Sequence, residues 1–105
     1  MKVETGDAFD ATELDEVVHG RVRLGVLAYL AGAGEADFNT LRDHLKTTNG
    51  NLSVHLGKLE GAGYVELRRT IAGRRTRTVV RPTATGRAAL KGYVDHLARL
   101  VEQMG

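Results

Sequence analysis

The period of the hydrophobic pattern changes along the chain, and this change restricts the folds open to it. Up to Gly63, apolar residues recur about every 3.6 residues, which is the period of an amphipathic helix. From Gly63 to Pro82 the period is 2, which predicts two strands joined by a turn. A final helix is predicted from Thr83 or Thr85 towards Met104. The order of four helices, a hairpin and one helix indicates a mainly α fold with one β-hairpin.

Glycines and capping residues divide the helical part of the chain into four segments. Ser, Thr, Asn and Asp favour helix starts, and glycine favours helix ends. The expected boundaries are a start at Thr12 or Leu14, a break at His19-Gly20, a stop at Ala31–Gly34, a cap at Asn39 or Thr40, a polar turn at Lys46–Asn49 and a stop at Gly61 and Gly63. A chain of 105 residues with this pattern forms one domain. Residues 1–11 lack periodicity and are expected to be flexible.

The charge is small in sum but strongly segregated. The net charge is +2, yet residues 67–94 contain eight basic residues and no acid. Residues 1–20 have a net charge of −5. The basic stretch favours an anionic partner, although charge alone is equally typical of a solvated basic face.

Several classes of protein are excluded or disfavoured by composition. The chain has no cysteine, so disulfides and thiolate metal sites are excluded. No apolar run approaches the roughly 20 residues of a membrane span, so we expect a cytoplasmic protein without membrane contact. Ser53 is the single serine, and on a helix it diverges from His55, so a nucleophilic dyad is not expected. We therefore predict no enzyme activity, no cofactor and no metal site.

The fourth helix has an unusual outward face. If Leu52 points inward, a step of 100° per residue turns glycines and very few other side chains outward. The outward residues are Gly50, Val54, Gly57, Lys58 and Gly61, with Asn51, Ser53 and His55 on the flanks. A solvated helix gains nothing from such glycines, whereas a backbone that approaches another molecule closely requires them. Two short helices joined by a polar turn and followed by a basic hairpin form the layout of a winged helix-turn-helix.

The same residues carry a resemblance to a known family. The segments are Thr48–Leu56, Leu59–Val65, Arg77–Arg87 and His19–Leu27. Together they resemble small winged-helix transcriptional regulators of the MarR/ArsR-like superfamily, over about residues 14–100. The chain departs from that family at Gly20, where a proline is usual, and at Pro82, where an apolar residue is usual. The resemblance implies a DNA-binding domain at residues 12–82 and a dimerisation helix at residues 83–105.

The resemblance and the outward face together predict the residues that contact double-stranded DNA. In the recognition helix these are Thr48, Asn49, Gly50, Asn51, Ser53, Val54 and Lys58. Asparagine pairs with adenine, and valine meets the methyl group of thymine. For Thr47 and Thr48, helix capping is the competing interpretation. In the wing the predicted contacts are Arg68, Arg74, Arg75 and Arg77, where the competing interpretation is protection of a hairpin edge by charge.

The last helix predicts self-association. Its apolar residues are spaced 4, 3, 4, 3, as in the seam of a coiled coil. The predicted dimer interface contains Leu14, Val17 and Val18 of the first helix and Leu90, Tyr93, Val94, Leu97, Leu100, Val101 and Met104 of the last helix. Packing of this helix on its own core is the competing interpretation.

We therefore expect a homodimeric, sequence-specific regulator, acting as a repressor on a pseudo-palindromic DNA site. Two other functions stay open. The first is a winged-helix module that binds proteins, and the second is a regulator that responds to a metal or a small-molecule effector. The strong positive charge of the wing favours DNA over the first alternative.

Overall fold

The computed structural model describes Asp15 and residues 17–105, which form four helices and three strands. The helices are α1 (Arg21–Ala33), α2 (Phe38–His44), α3 (Asn49–Gly61) and α4 (Ala84–Gln103), and the strands are β1 (Ala36–Asp37), β2 (Val65–Ala72) and β3 (Arg75–Pro82). The strands form one antiparallel sheet in the order β1-β3-β2. The predicted mainly α winged-helix fold is confirmed, and β1 is an addition to it.

The core lies between the helices and the base of the β2–β3 hairpin. Fully buried side chains come from α1, α2, α3 and the hairpin, and from Val18 just before α1. The larger ones are Leu27, Leu30, Leu41, Leu52, Leu56, Leu59, Val26 and Val80. Burial of a side chain of this size contributes about 1.5–3 kcal/mol, so these residues determine which face of each helix points inward. Within the described part of the chain, the buried residues are apolar apart from the phenol hydroxyl of Tyr93.

The connection from α2 to α3 is the short polar turn that the sequence predicts. The cap of α2 is Asp37, whose carboxylate accepts a hydrogen bond from the backbone N–H of Thr40 at 2.8 Å. The predicted caps Asn39 and Thr40 are wrong, because pairing of β1 with β3 leaves Asp37 extended immediately before the helix. After α2, Lys46 adopts a left-handed backbone with φ of 53°.

The first predicted helix lies largely outside the described residues, as do Leu14 and the segment 1–11. The carboxylate of Asp15 accepts hydrogen bonds from the backbone N–H groups of Val17 and Val18 at 2.8 and 3.2 Å. Gly20 has a φ of 130° and immediately precedes α1, which confirms the predicted break at this point.

The start of α4 is anchored to the base of the hairpin. Of the two predicted starts, Thr83 is the cap, because its hydroxyl accepts a hydrogen bond from the N–H of Gly86 at 2.9 Å. The same hydroxyl donates to the carbonyl of Gly63 at 2.6 Å. Gly86 packs so closely on the carbonyl of Tyr64 that no side chain fits there. In the region described, every helix is too short or too polar to cross a membrane.

Candidate nucleic-acid interface

The outer face of α3 is nearly bare of side chains. Val54 is 57% exposed, and Lys58 and Ser53 are also exposed. A Cβ atom built on Gly50, Gly57 or Gly61 would meet no atom within 4 Å, so packing inside the chain does not require these glycines. Each glycine in a helix interior costs about 0.5–1 kcal/mol relative to alanine. A helix that keeps such residues on one exposed face is suited to close contact with another molecule.

The polar groups at the start of α3 are held by hydrogen bonds within the chain. Thr48 caps the helix, and its hydroxyl accepts from the N–H of Asn51 at 3.1 Å. The amide nitrogen of Asn51 donates to the hydroxyl of Thr47 at 2.7 Å. Paired contact with adenine requires both the oxygen and the nitrogen of an asparagine amide. The amide of Asn51 has a second N–H besides the one that Thr47 accepts, so this hydrogen bond does not by itself prevent such a contact.

Arg42 of α2 holds the other asparagine, Asn49, a contact that the sequence does not predict. Its guanidinium donates to the amide oxygen of Asn49 at 2.8 Å and to that of Asn39 at 3.3 Å. It also lies 2.8 Å from the carboxylate of Asp43, and this hydrogen bond lowers the pKa of Asp43. Arg42 thus ties α2 to the first turn of α3, and no periodic pattern in the sequence points to such a contact.

His55 adds little positive charge to this region. Burial lowers the pKa of His55, and the neighbouring charges of Arg23 and Lys58 lower it further. The neutral imidazole is therefore favoured at neutral pH. Ser53 is exposed on a different side of the helix, as its spacing from His55 predicts.

The β2–β3 hairpin forms the wing, and its strands are joined by a two-residue turn, Gly73-Arg74. Gly73 has a φ of 65°, a conformation that suits the first position of a tight hairpin turn. Arg74 therefore lies at the tip, and Arg75 follows as the first residue of β3. Both side chains are exposed.

The register of the hairpin sorts the remaining arginines by face. Neighbouring residues of a strand point to opposite faces, and residues that pair across the strands share a face. The inner face carries buried Val65 and Val80, whereas Arg68, Arg75 and Arg77 are on the outer face. Arg69 is on the inner face, as the alternation from Val65 through Leu67 indicates, although it was not among the predicted DNA contacts.

Two arginines of β3 form ion pairs with acids near β1. The Nε atom of Arg77 is 3.3 Å from the carboxylate of Asp37, and that of Arg81 is 3.3 Å from the carboxylate of Glu35. The pKa of Asp37 is lowered first by its hydrogen bonds from Thr40 and then by Arg77. Partly exposed pairs of this kind contribute little stability.

The residues predicted for the dimer interface fall into two groups. Val94, Val101 and Met104 are 51%, 66% and 78% exposed, and they continue along one side of α4. Leu90, Leu97 and Val17 are partly buried against the core, and Leu100 is also half-buried.

Val18 and Tyr93 are 0% and 5% exposed inside the chain, where the phenol of Tyr93 lies 2.7 Å from Nδ1 of His19. Their assignment to an interface is therefore corrected, because they have almost no surface to offer.

Among Asp15 and residues 17–105, no group of three or more histidine, aspartate or glutamate side chains is arranged to hold a metal ion.

Comparisons with known proteins agree with this geometry. Residues 22–101 match the winged helix DNA-binding domain family. The chain is 36% identical over 85 residues to an uncharacterized protein of Methanocaldococcus jannaschii, covering 81% of this chain and 92% of that protein. It is similar in structure to a transcriptional regulator homologue from Pyrococcus horikoshii OT3, with a TM-score of 0.80, 31% identity and coverage of 86% and 89% of the two chains. A MarR-family transcriptional regulator from Silicibacter pomeroyi shares the fold, with a TM-score of 0.65, 24% identity and coverage of 89% and 62%.

Proposed function

The chain belongs to the family of winged helix DNA-binding domains, and on that premise we propose that it is a sequence-specific transcriptional regulator that binds double-stranded DNA as a homodimer. The observation that carries the proposal is the bare outer face of α3, where Gly50, Gly57 and Gly61 have open space around them. A helix with such a face fits deeply into a major groove, where the base edges are distinguishable.

The contacts to DNA in this proposal come from α3 and the wing. Ser53 and Val54 are exposed where α3 enters the groove, and Asn51 joins them through its amide oxygen and its second N–H. Lys58 and the wing residues Arg74 and Arg75 bind phosphates or the minor groove, since their charge is suited to both.

The exposed apolar side of α4 supports the homodimer. Val94, Val101 and Met104 are largely exposed in the single chain, and their spacing is that of a helix seam. A second copy of α4 is the occupant with matching spacing and chemistry, because two identical seams bury each other. Such a dimer has two-fold symmetry, so the DNA site is pseudo-palindromic.

The mode of regulation we propose is repression. A dimer that places one α3 in each of two major grooves covers the DNA between them. The half-sites then lie about one helical turn apart, roughly 10 base pairs between centres. Occupancy of a promoter over that length blocks other proteins from it, and no catalytic step is needed.

The test of this proposal is selection of bound duplexes from a random DNA pool. We expect enrichment of a motif with two-fold symmetry, and the variant Val101→Glu is expected to sediment as a monomer and lose that enrichment. A charge at the seam would have to be buried without a partner, which is strongly unfavourable. Ala88→Glu is the matched control, since Ala88 is exposed on another side of α4. A pool that yields no motif, or a parent protein that sediments as a monomer at micromolar concentration, would refute the proposal.

A further inference from the structure

A groove runs between α3 and the inner face of the wing. Its polar lining comes from both sides: Asn49, Ser53 and Glu60 from α3, and Arg69 and Thr78 from the hairpin. Gly57 forms part of the α3 wall, and the space beside its Cα is open. Phe38, Leu56 and Leu67 complete the lining.

The charges in this groove are few and well defined. Arg69 is its one cation and Glu60 its one acid, and both side chains are exposed. Among the described residues, no acidic group lies within 4 Å of the guanidinium of Arg69, in contrast to Arg77 and Arg81 on the other face. The amide oxygen of Asn49 is taken by Arg42, which leaves the amide nitrogen to donate. The groove thus offers a guanidinium, a hydroxyl on each wall and an amide donor.

The geometry of duplex DNA determines what must cross this groove when α3 and the wing bind together. One sugar-phosphate strand separates each major groove from the minor groove beside it. With α3 in the major groove and the wing tip at the adjacent minor groove, that strand passes between them. Phosphate oxygens accept hydrogen bonds from arginine, serine, threonine and asparagine, which are the donors present here.

We propose that the groove between α3 and the inner face of the wing holds the sugar-phosphate strand that separates the two DNA grooves, with Arg69 as its phosphate-binding side chain. The inference rests on the proposed function. It distinguishes Arg69 from its neighbour Arg68, which has the same charge and points to the opposite face of the same strand. It also gives Glu60 a role, because its carboxylate repels the phosphates of the DNA strand beside it and weakens binding.

The test compares single variants on a duplex that the parent protein selects, with affinity measured by fluorescence anisotropy at several salt concentrations. Arg69→Ala is expected to weaken binding about tenfold and to make the slope of log affinity against log salt shallower by about 0.9, the value for one lost phosphate contact. Arg68→Ala is expected to have a clearly smaller effect. Arg99→Ala, on an exposed position of α4, removes the same charge far along the chain and measures the nonspecific effect of net charge.

Glu60→Gln gives a change in the opposite direction. We expect about threefold tighter binding, because the repulsion of one like charge near a phosphate is removed. Circular dichroism shows that each variant is folded. If Arg69→Ala and Arg68→Ala weaken binding equally, or if Glu60→Gln leaves affinity unchanged, the strand does not lie in the groove. A parent protein that prefers no duplex over random DNA would instead refute the proposed function itself.

Discussion

Replacing Gly57 by leucine is expected to stabilise the fold and abolish DNA binding at the same time. Gly57 lies in the interior of α3, and a Cβ atom at this position meets no atom within 4 Å. Leucine is favoured over glycine in a helix by about 0.5–1 kcal/mol, and its Cβ atom collides with nothing. For a domain of about 100 residues, this corresponds to a rise in Tm of roughly 2–8 °C. The leucine side chain, however, projects from the face that we propose approaches DNA, so affinity is expected to fall more than tenfold.

The assay for Gly57→Leu pairs thermal unfolding with fluorescence anisotropy on a selected duplex. Unfolding is compared at equal protein concentration, because association of subunits makes Tm depend on concentration. Gly92→Ala on α4 is the control: its added Cβ also meets open space, so it is expected to raise Tm without changing affinity. A Gly57→Leu protein that binds DNA like the parent would refute the placement of this face against DNA. A lowered Tm would show instead that the face is packed within the protein.

Two further predictions concern the contacts around Tyr64. The hydrogen bond to Asp15, and burial after it, raise the pKa of Tyr64 to about 12. Because this exceeds the ordinary value near 10, the stabilisation is complete below about pH 10 and is lost as pH rises through about 12. The free energies of unfolding of the parent and of Tyr64→Phe, measured in a chemical denaturant, should therefore converge across that window. A difference that stays constant with pH would contradict this contact. Gly86→Ala should destabilise the protein by about 1–3 kcal/mol, because the new Cβ atom collides with the carbonyl of Tyr64. An unchanged free energy of unfolding in urea would contradict this packing.

The helices and the hairpin were predictable because the side chains that each element buries in the core recur at its own period along the sequence. In α3, Leu52, Leu56 and Leu59 recur at the helical period, and all three are almost completely buried. The outward glycines follow from the same periodicity, so the bare face was predictable too. The break before α1 was also predictable, since Gly20 takes a φ of 130° that other residues rarely adopt.

Features that depend on distant pairing were not predictable in the same way. The cap Asp37 is selected by a two-residue strand that exists only because β3 pairs with it. The hydrogen bond from Arg42 to Asn49 joins residues of two helices, and no local pattern in either segment indicates that the two residues pair. Arg69 differs from these cases, since the alternation of β2 already places it with Val65 and Leu67 on the inner face.

The apolar residues of α4 have two different roles, and their spacing in the sequence does not separate the two. Tyr93 lies on the same stripe as Leu90 and Leu97, yet it is buried in the core of its own chain, whereas Val101 beyond it is exposed. In the proposed dimer, one continuous helix therefore both packs on the DNA-binding domain and carries the seam. The position of each α3 relative to the two-fold axis then depends on a single helix rather than on a hinge. In such a dimer the spacing of the DNA half-sites depends on how α4 packs, so a substitution that shifts the packing of α4 is expected to change that spacing.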